Sequence, residues 1–216
     1  MPSELVQGDK TGDRTLFDAI KDFIKERDKK PGNVFLGVCH RLDRPTSGIV
    51  IFAKTSKALS RMNGSFRENR VLKTYWVVTE KPPPAQAGVL IHYLKKNEAK
   101  NKSFVVDQTS PGAKRAELSY EIVARSERYF LIEIKPKTGR HHQIRAQLAA
   151  VGCPVKGDLK YGFRRSDPGG GIHLHAREVA FTHPVSGAGV KLTAPAPGEV
   201  LWRALEKEAS LGLGES

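Results

Sequence analysis

The tightest constraint on the fold lies in Tyr129–Lys135, where Phe130, Ile132 and Ile134 alternate with other residues at the period of two that places successive side chains on opposite faces of a strand. Ala116 to Ala124 precedes it across the polar turn Arg125-Ser126-Glu127-Arg128, so the two stretches read as a hairpin. Val89 to Val106 reads as another, joined by the basic stretch Lys95 to Lys102, and Glu178 to Thr182 pairs with Gly189 to Thr193 as a third. Val71 to Thr79 adds a strand with Tyr75 and Val77 on a single face.

Helical patterns lie between and around these strands. Leu16, Ile20, Phe23 and Ile24 repeat on one face after a cap at Asp13 or Thr15, following an irregular polar segment from Met1 to Gly12, and Pro31-Gly32 ends the segment. Ala58, Leu59, Met62 and Phe66 share a face behind Thr55 or Ser56 and end near Asn69. Ile144, Leu148 and Val151 form a stripe stopped by Gly152 and Pro154, with Arg145 at its border, and Gly198 opens a closing helix. Hairpins with helices between them are compatible with an α+β layering.

The chemistry concentrates in His40-Arg41-Leu42-Asp43-Arg44-Pro45-Thr46-Ser47-Gly48, which runs directly into Ile49, Val50, Ile51 and Phe52. That apolar run reads as a buried strand, so the nonapeptide is a loop feeding the sheet and Asp43 sits at the edge of the core. Arg41 and Arg44 flank Asp43, and nearby positive charge favours the ionised, nucleophilic carboxylate. An aspartate between arginines, taken alone, is more often a loop salt bridge.

The full string is far more specific than the pair. HRLD-x-x-TSG resembles the signature loop of the RluA-type pseudouridine synthases, which isomerise uridine to pseudouridine in structured RNA. Lys73-Thr74-Tyr75 resembles that family's second motif, Thr138-Gly139-Arg140-His141-His142-Gln143-Ile144-Arg145 its third, and Gly157-Asp158-Leu159-Lys160-Tyr161-Gly162 a later loop. The tail, Leu174-His175-Ala176 through Phe181-Thr182-His183-Pro184, is similar as well, so the resemblance covers nearly the whole chain in order.

The resemblance implies an α+β pseudouridine synthase fold: a curved, mainly antiparallel mixed sheet with flanking helices and a central RNA-binding cleft. It implies Asp43 as nucleophile or base, Tyr75 as the active-site tyrosine that stacks on the base, and Arg145 as the buried partner that holds Asp43. Arg41 helps eject the uridine, and Arg44, Arg140 and His142 contact RNA. Isomerisation involves neither redox change nor group transfer, so no cofactor or metal is expected. The expected partner is transfer or ribosomal RNA, with no obligatory protein partner. Residues 1–216 are expected to form a single catalytic domain without a separate S4-type RNA-binding domain. The family's N-terminal strand and Lys-Pro-Ala-Gly turn are missing ahead of Met1-Pro2-Ser3-Glu4, which we read as a start codon assigned too late. His141 stands where the family often has a small residue.

Composition agrees with an RNA partner without specifying it. Lys and Arg number 36 against 23 Asp and Glu, a net charge of +13 that favours an extended polyanion. No apolar segment is long enough to span a bilayer, and Cys39 and Cys153 form no C-x-x-C pair, so a reducing cytoplasm is expected. Cys39, ahead of an apolar run, reads as a core residue rather than a thiol nucleophile. His173 and His175 share a strand face, but no cysteine or acidic triad completes a metal site around them. Gly157 to Gly171 reads as a flexible basic loop near RNA and matches no phosphate-binding fingerprint. A kinase loop would need H-R-D-L and D-F-G, and a nuclease would need metal carboxylates or a general acid-base histidine pair. The remaining rival is a catalytically silent RNA-binding or RNA-folding protein on the same scaffold.

Overall fold

The computed structural model describes Val6, residues 15–29 and residues 31–212. The expected irregular segment from Met1 to Gly12, Val6 apart, and the alternative cap Asp13 lie outside the described residues. The first helix, α1 (Leu16–Arg27), starts at Thr15, whose hydroxyl accepts from Asp18 N while the Asp18 carboxylate accepts from Thr15 N at 3.1 Å. This reciprocal capping box satisfies donors that a helix start leaves open. Its packed stripe is Phe17, Ile20 and Ile24 against Val34, Leu36 and Phe52. Phe23, expected in the core, is 58% exposed and lies under Arg27 instead.

The apolar run after Asp43 is not one buried strand. The chain forms β1 (Gly37–Val38), β2 (Ser47–Gly48) and β3 (Phe52–Ala53); β2 pairs in parallel with a later strand, whereas β3 turns away to pair antiparallel with β1. Ile49, Val50, Ile51 and Phe52 are all only half-buried. Gly48 makes the break: its φ is +113°, and a Cβ there would overlap the Ala176 carbonyl, so only glycine gives this approach and bend. Next comes α2 (Ser56–Arg67), capped by the Thr55 hydroxyl on Ala58 N at 3.1 Å.

The strands β4 (Leu72–Thr79), β5 (Ala87–Asn97), β6 (Lys102–Val106), β7 (Lys114–Arg125) and β8 (Phe130–Pro136) precede α3 (Gln143–Ala150). After it come β9 (Leu174–Thr182), β10 (Gly189–Thr193) and α4 (Val200–Gly212). Among the described residues, seven of these strands lie in the order β10-β9-β4-β8-β7-β5-β6, and β2 joins β9 to make an eight-stranded sheet. All its pairings are antiparallel except β2 with β9, so the sheet is mixed and mainly antiparallel as expected.

Alternation divides the sheet into two cores. Val77, Leu118, Ile132 and Ile134 pack under Ile144 and Leu148 of α3, whereas Trp76, Val78 and Leu131 pack under Trp202, Leu205 and Ala209 of α4. Tyr75 sits with Val77 on the α3 side, as its spacing predicts. Leu72, at the start of the strand, is 68% exposed, and the register of β4 against β9 shifts between Thr74 and Tyr75, where β9 carries the extra residue. The helix α3 carries more than an apolar stripe: Gln143, Arg145 and Gln147 are buried too. Gln147 survives there by donating to the Leu90 carbonyl at 3.0 Å and the Ala116 carbonyl at 3.3 Å.

Candidate active site

A cleft of about 1280 Å³ opens on the α3 side of the sheet and is lined by the Asp43 loop, the end of α2, β4, the Thr138–Arg145 segment and Lys160. Asp43 is held there by its own turn. Thr46 N donates to the Asp43 carbonyl at 2.8 Å, Ile172 N to the Pro45 carbonyl at 3.0 Å, and the Ser47 hydroxyl meets His175 Nδ1 at 2.8 Å. His40 ties the loop's start, its Nε2 accepting from Ile51 N at 3.1 Å. That bond requires a deprotonated Nε2, in keeping with a His40 pKa pushed down to about 4 by burial and, secondarily, by Lys73.

The Thr138–Arg145 motif folds around Gln143. The Gln143 side-chain oxygen accepts from the Thr138 hydroxyl at 2.7 Å and from Arg140 N at 2.9 Å, while its amide nitrogen donates to the Glu117 carbonyl at 3.0 Å. The turn enters α3 through His142, whose backbone is left-handed at φ 51°. A non-glycine residue in that region stores strain, which is frequent where a side chain must be aimed at a site. His142 is thereby buried with Nδ1 3.0 Å from the Tyr161 hydroxyl and Nε2 3.7 Å from Asp43 Oδ2. Burial, and then the positive charge of Arg145, lower its pKa to about 3, so the ring stays neutral at physiological pH. His141 stacks on it at 3.8 Å and reaches the Ser103 hydroxyl and Asn101, so the departure at this position ties α3 to the β5–β6 hairpin.

Arg145 is the centre of the site. Its Nη1 donates to Asp43 Oδ2 at 3.0 Å across 102 positions of sequence, as the resemblance implied. Its Nε and Nη2 donate to the two oxygens of Asp158 at 2.6 and 2.8 Å, and its guanidinium lies 5.0 Å from the Tyr161 ring centroid. Burial alone would lower the Arg145 pKa, but the hydrogen bonds and charge of Asp158, and then of Asp43, outweigh it and raise the value. The side chains of Arg145 and Asp158 are 5% and 1% exposed against 26% for Asp43. A buried ion pair thus presents one carboxylate to solvent. Tyr75 lines the same cleft, and its phenol is pushed up to about 12 by burial and then by the charge of Asp43.

The other expected residues divide. Arg41, Arg44 and Arg140 line the cleft, Arg41 and Arg44 exposed, and Arg140 also donates to the Arg115 carbonyl at 3.0 Å. Gly157 to Gly171 is not simply a loose basic loop. It supplies the buried Asp158 and Tyr161, which sequence reading did not select although both belong to a quoted motif. Lys160 reaches the cleft, but Arg164 pairs with Glu80 at 2.9 Å. Cys39 is a buried core residue beside Ala53 and Met62. His173 and His175 both pack on Trp202, and among the described residues no group of three metal-ligating side chains occurs.

Comparison with known proteins gives the family and the fold. Residues 5–150 match the model of the RNA pseudouridylate synthases. Ribosomal large subunit pseudouridine synthase C of Vibrio parahaemolyticus is 34% identical over 172 residues, 77% of this chain and 53% of the relative. Its namesake from Rickettsia conorii is 33% identical over 73% of this chain and 52% of its own length. The chain therefore spans about half the length of the curated relatives it matches. The fold matches the human RNA pseudouridylate synthase domain containing 4, with TM-score 0.75, 22% identity and 96% and 87% of the two chains covered. Human RNA pseudouridylate synthase domain containing 1 follows at TM-score 0.66, 24% identity and 86% and 77% coverage. With its family match extending from before the Asp43 loop through the end of α3, this chain belongs to the RNA pseudouridylate synthase family.

Proposed function

We propose that this protein isomerises uridine to pseudouridine in RNA. The observation that supports this most strongly is the position of Asp43, a partly exposed carboxylate in a cationic cleft held 3.0 Å from the buried Arg145. The target uridine leaves its stack at a cost of a few kcal/mol, and the planar guanidinium of Arg41 fills the gap. Asp43 acts as nucleophile, or as the base that starts cleavage of the bond between ribose C1′ and uracil N1. The uracil turns and rejoins C1′ through C5, and the proton lost from C5 balances the one gained at N1. Tyr75 stacks on the base, Arg145 fixes Asp43, and Arg44, Arg140 and His142 contact the RNA.

The names of the relatives favour large-subunit ribosomal RNA over transfer RNA as the substrate, and a cytoplasmic location is consistent with that choice. Among the described residues no helix is long and apolar enough to cross a membrane. The test is tritium release from 5-tritiated uridine in ribosomal RNA lacking the modification. Release by the natural chain and none by Asp43→Asn supports the reading. No release by a folded natural chain, with RNA binding intact, replaces it with a silent RNA-binding protein.

A further inference from the structure

Lys73 lies on β4 two residues before Tyr75, and both side chains line the cleft, as strand positions two apart share a face. Lys73 is half-buried, and that burial lowers its pKa. A buried ammonium is ordinarily matched by a carboxylate, because removing an unpaired charge from water is costly. Among the described residues Lys73 has no such match. Its neighbours are the Phe66 ring, with Nζ 5.9 Å from the centroid, and His40, which is held neutral beside it.

The surrounding wall adds cationic and polar groups. Arg67, the last residue of α2, and Asn69 just beyond it line the same cleft, and the Thr138–Arg140 turn comes close enough that a Cβ on Gly139 would lie 4.0 Å from Nζ. A cation left unpaired in a groove is a local cost that the rest of the fold must offset, and such costs concentrate at functional sites. The charge it lacks is anionic, and phosphate is the anion that every nucleotide of an RNA brings.

We infer that Lys73 is a phosphate-binding residue, taking a backbone phosphate beside the target uridine while Tyr75 meets the base. The assignment rests on the RNA reading of the cleft and names a contact that the motif alone leaves without a role. It also accounts for a half-buried ammonium that, among the described residues, has a ring and a neutral imidazole beside it and no carboxylate.

The experiment is anisotropy of a short fluorescein-labelled oligouridylate across a potassium chloride series, with the natural chain, Lys73→Met and Lys73→Arg. Loss of one phosphate contact on a single strand makes the slope of log affinity against log salt shallower by about 0.7. Lys73→Met is expected to show that change with roughly tenfold weaker binding at low salt, and Lys73→Arg to keep the natural slope. Should Lys73→Met fold poorly, Lys73→Gln gives the same measurement. An oligouridylate with uncharged methylphosphonate linkages should bind the natural chain and the Met variant alike. An unchanged slope in a variant with the natural thermal midpoint overturns the assignment and makes Lys73 a packing residue. Tritium release by Lys73→Met at saturating RNA would show that the isomerase reading stands whichever way the slope falls. A natural chain that binds no oligouridylate overturns both.

Discussion

Asp158 grips two nitrogens of Arg145, at 2.6 and 2.8 Å, and leaves Nη1 of the same guanidinium pointing at Asp43. The planar fork accounts for the geometry: one edge is filled by a fully buried carboxylate, so the other edge has a single fixed direction. Asp158 lies behind Arg145, yet it sets where the proposed reacting carboxylate of Asp43 is held.

Asp158→Asn and Asp158→Ala are therefore expected to damage both stability and turnover. Removing one partner of a buried ion pair costs about 3–5 kcal/mol, to be read from urea unfolding. Where the protein remains folded, a guanidinium freed on one edge misplaces Asp43, and displacement of the order of 1 Å costs about a hundredfold in rate. The loss should appear in kcat, with KM for RNA little changed. An Asn variant with natural kcat would show that Arg145 needs no second carboxylate.

Gly48→Ala tests the bend that separates the Asp43 loop from the sheet. The substitution needs a φ of +113° and places a methyl against the Ala176 backbone, which belongs to β9 and cannot swing aside as a side chain can. We expect a loss of at least about 3 kcal/mol, the upper range for a single substitution, and a low yield of folded protein. Gly112→Ala is the control, since it shares a positive φ but has open space around it.

The Tyr75 hydroxyl stays protonated through the working range, because burial and the neighbouring Asp43 charge push it to about 12. Its phenolate is not a resident base below about pH 10. Tyr75→Phe should retain RNA affinity, since the stacking ring remains, and lower kcat by about tenfold or more through the missing hydroxyl. Tyr75→Ala should lose affinity as well. Equal kcat in the natural chain and the Phe variant would restrict Tyr75 to stacking.

Acid should unfold this protein through its histidines as well as its carboxylates. His40 and His142 have folded pKa values of about 4 and about 3 against an ordinary 6.5, burial being the larger cause for both. The unfolded chain then binds the extra protons, so stability is complete above pH 6.5 and falls as pH drops toward the folded values. Each histidine should remove about 2 kcal/mol between pH 7 and pH 5, measured by urea midpoints at a series of pH values. His40→Gln should flatten part of that slope; an unchanged slope would show that His40 is as easily protonated in the fold as outside it.

Local pattern was legible wherever it repeated. Strand alternation around Ile132 and Ile134, the Thr55 cap and the pairing of Tyr75 with Val77 all follow from periods that a strand or helix imposes on its own neighbours. Where a long-range approach intervened, local reading failed. Ile49–Phe52 carries the composition of a buried strand, but the close passage of Gly48 over Ala176 sends it to a different partner, and Phe23 falls off a helix stripe whose width depends on what covers it.

The motifs pointed to Asp43, Tyr75 and Arg145, but the functional resemblance carried that selection; residue type alone left Asp43 a loop salt bridge. What the sequence determined was thus the set of candidate site residues and the antiparallel scaffold. Tertiary structure decided which group neutralises which: Asp158 braces Arg145 from 13 positions downstream, His142 is turned inward by a left-handed backbone, and Lys73 is left in the cleft without a carboxylate among the described residues. The physical reason is that desolvation and Coulomb pairing depend on distance in space, and only folding fixes which of the many charges along this chain are brought within 3 Å of one another while water is excluded.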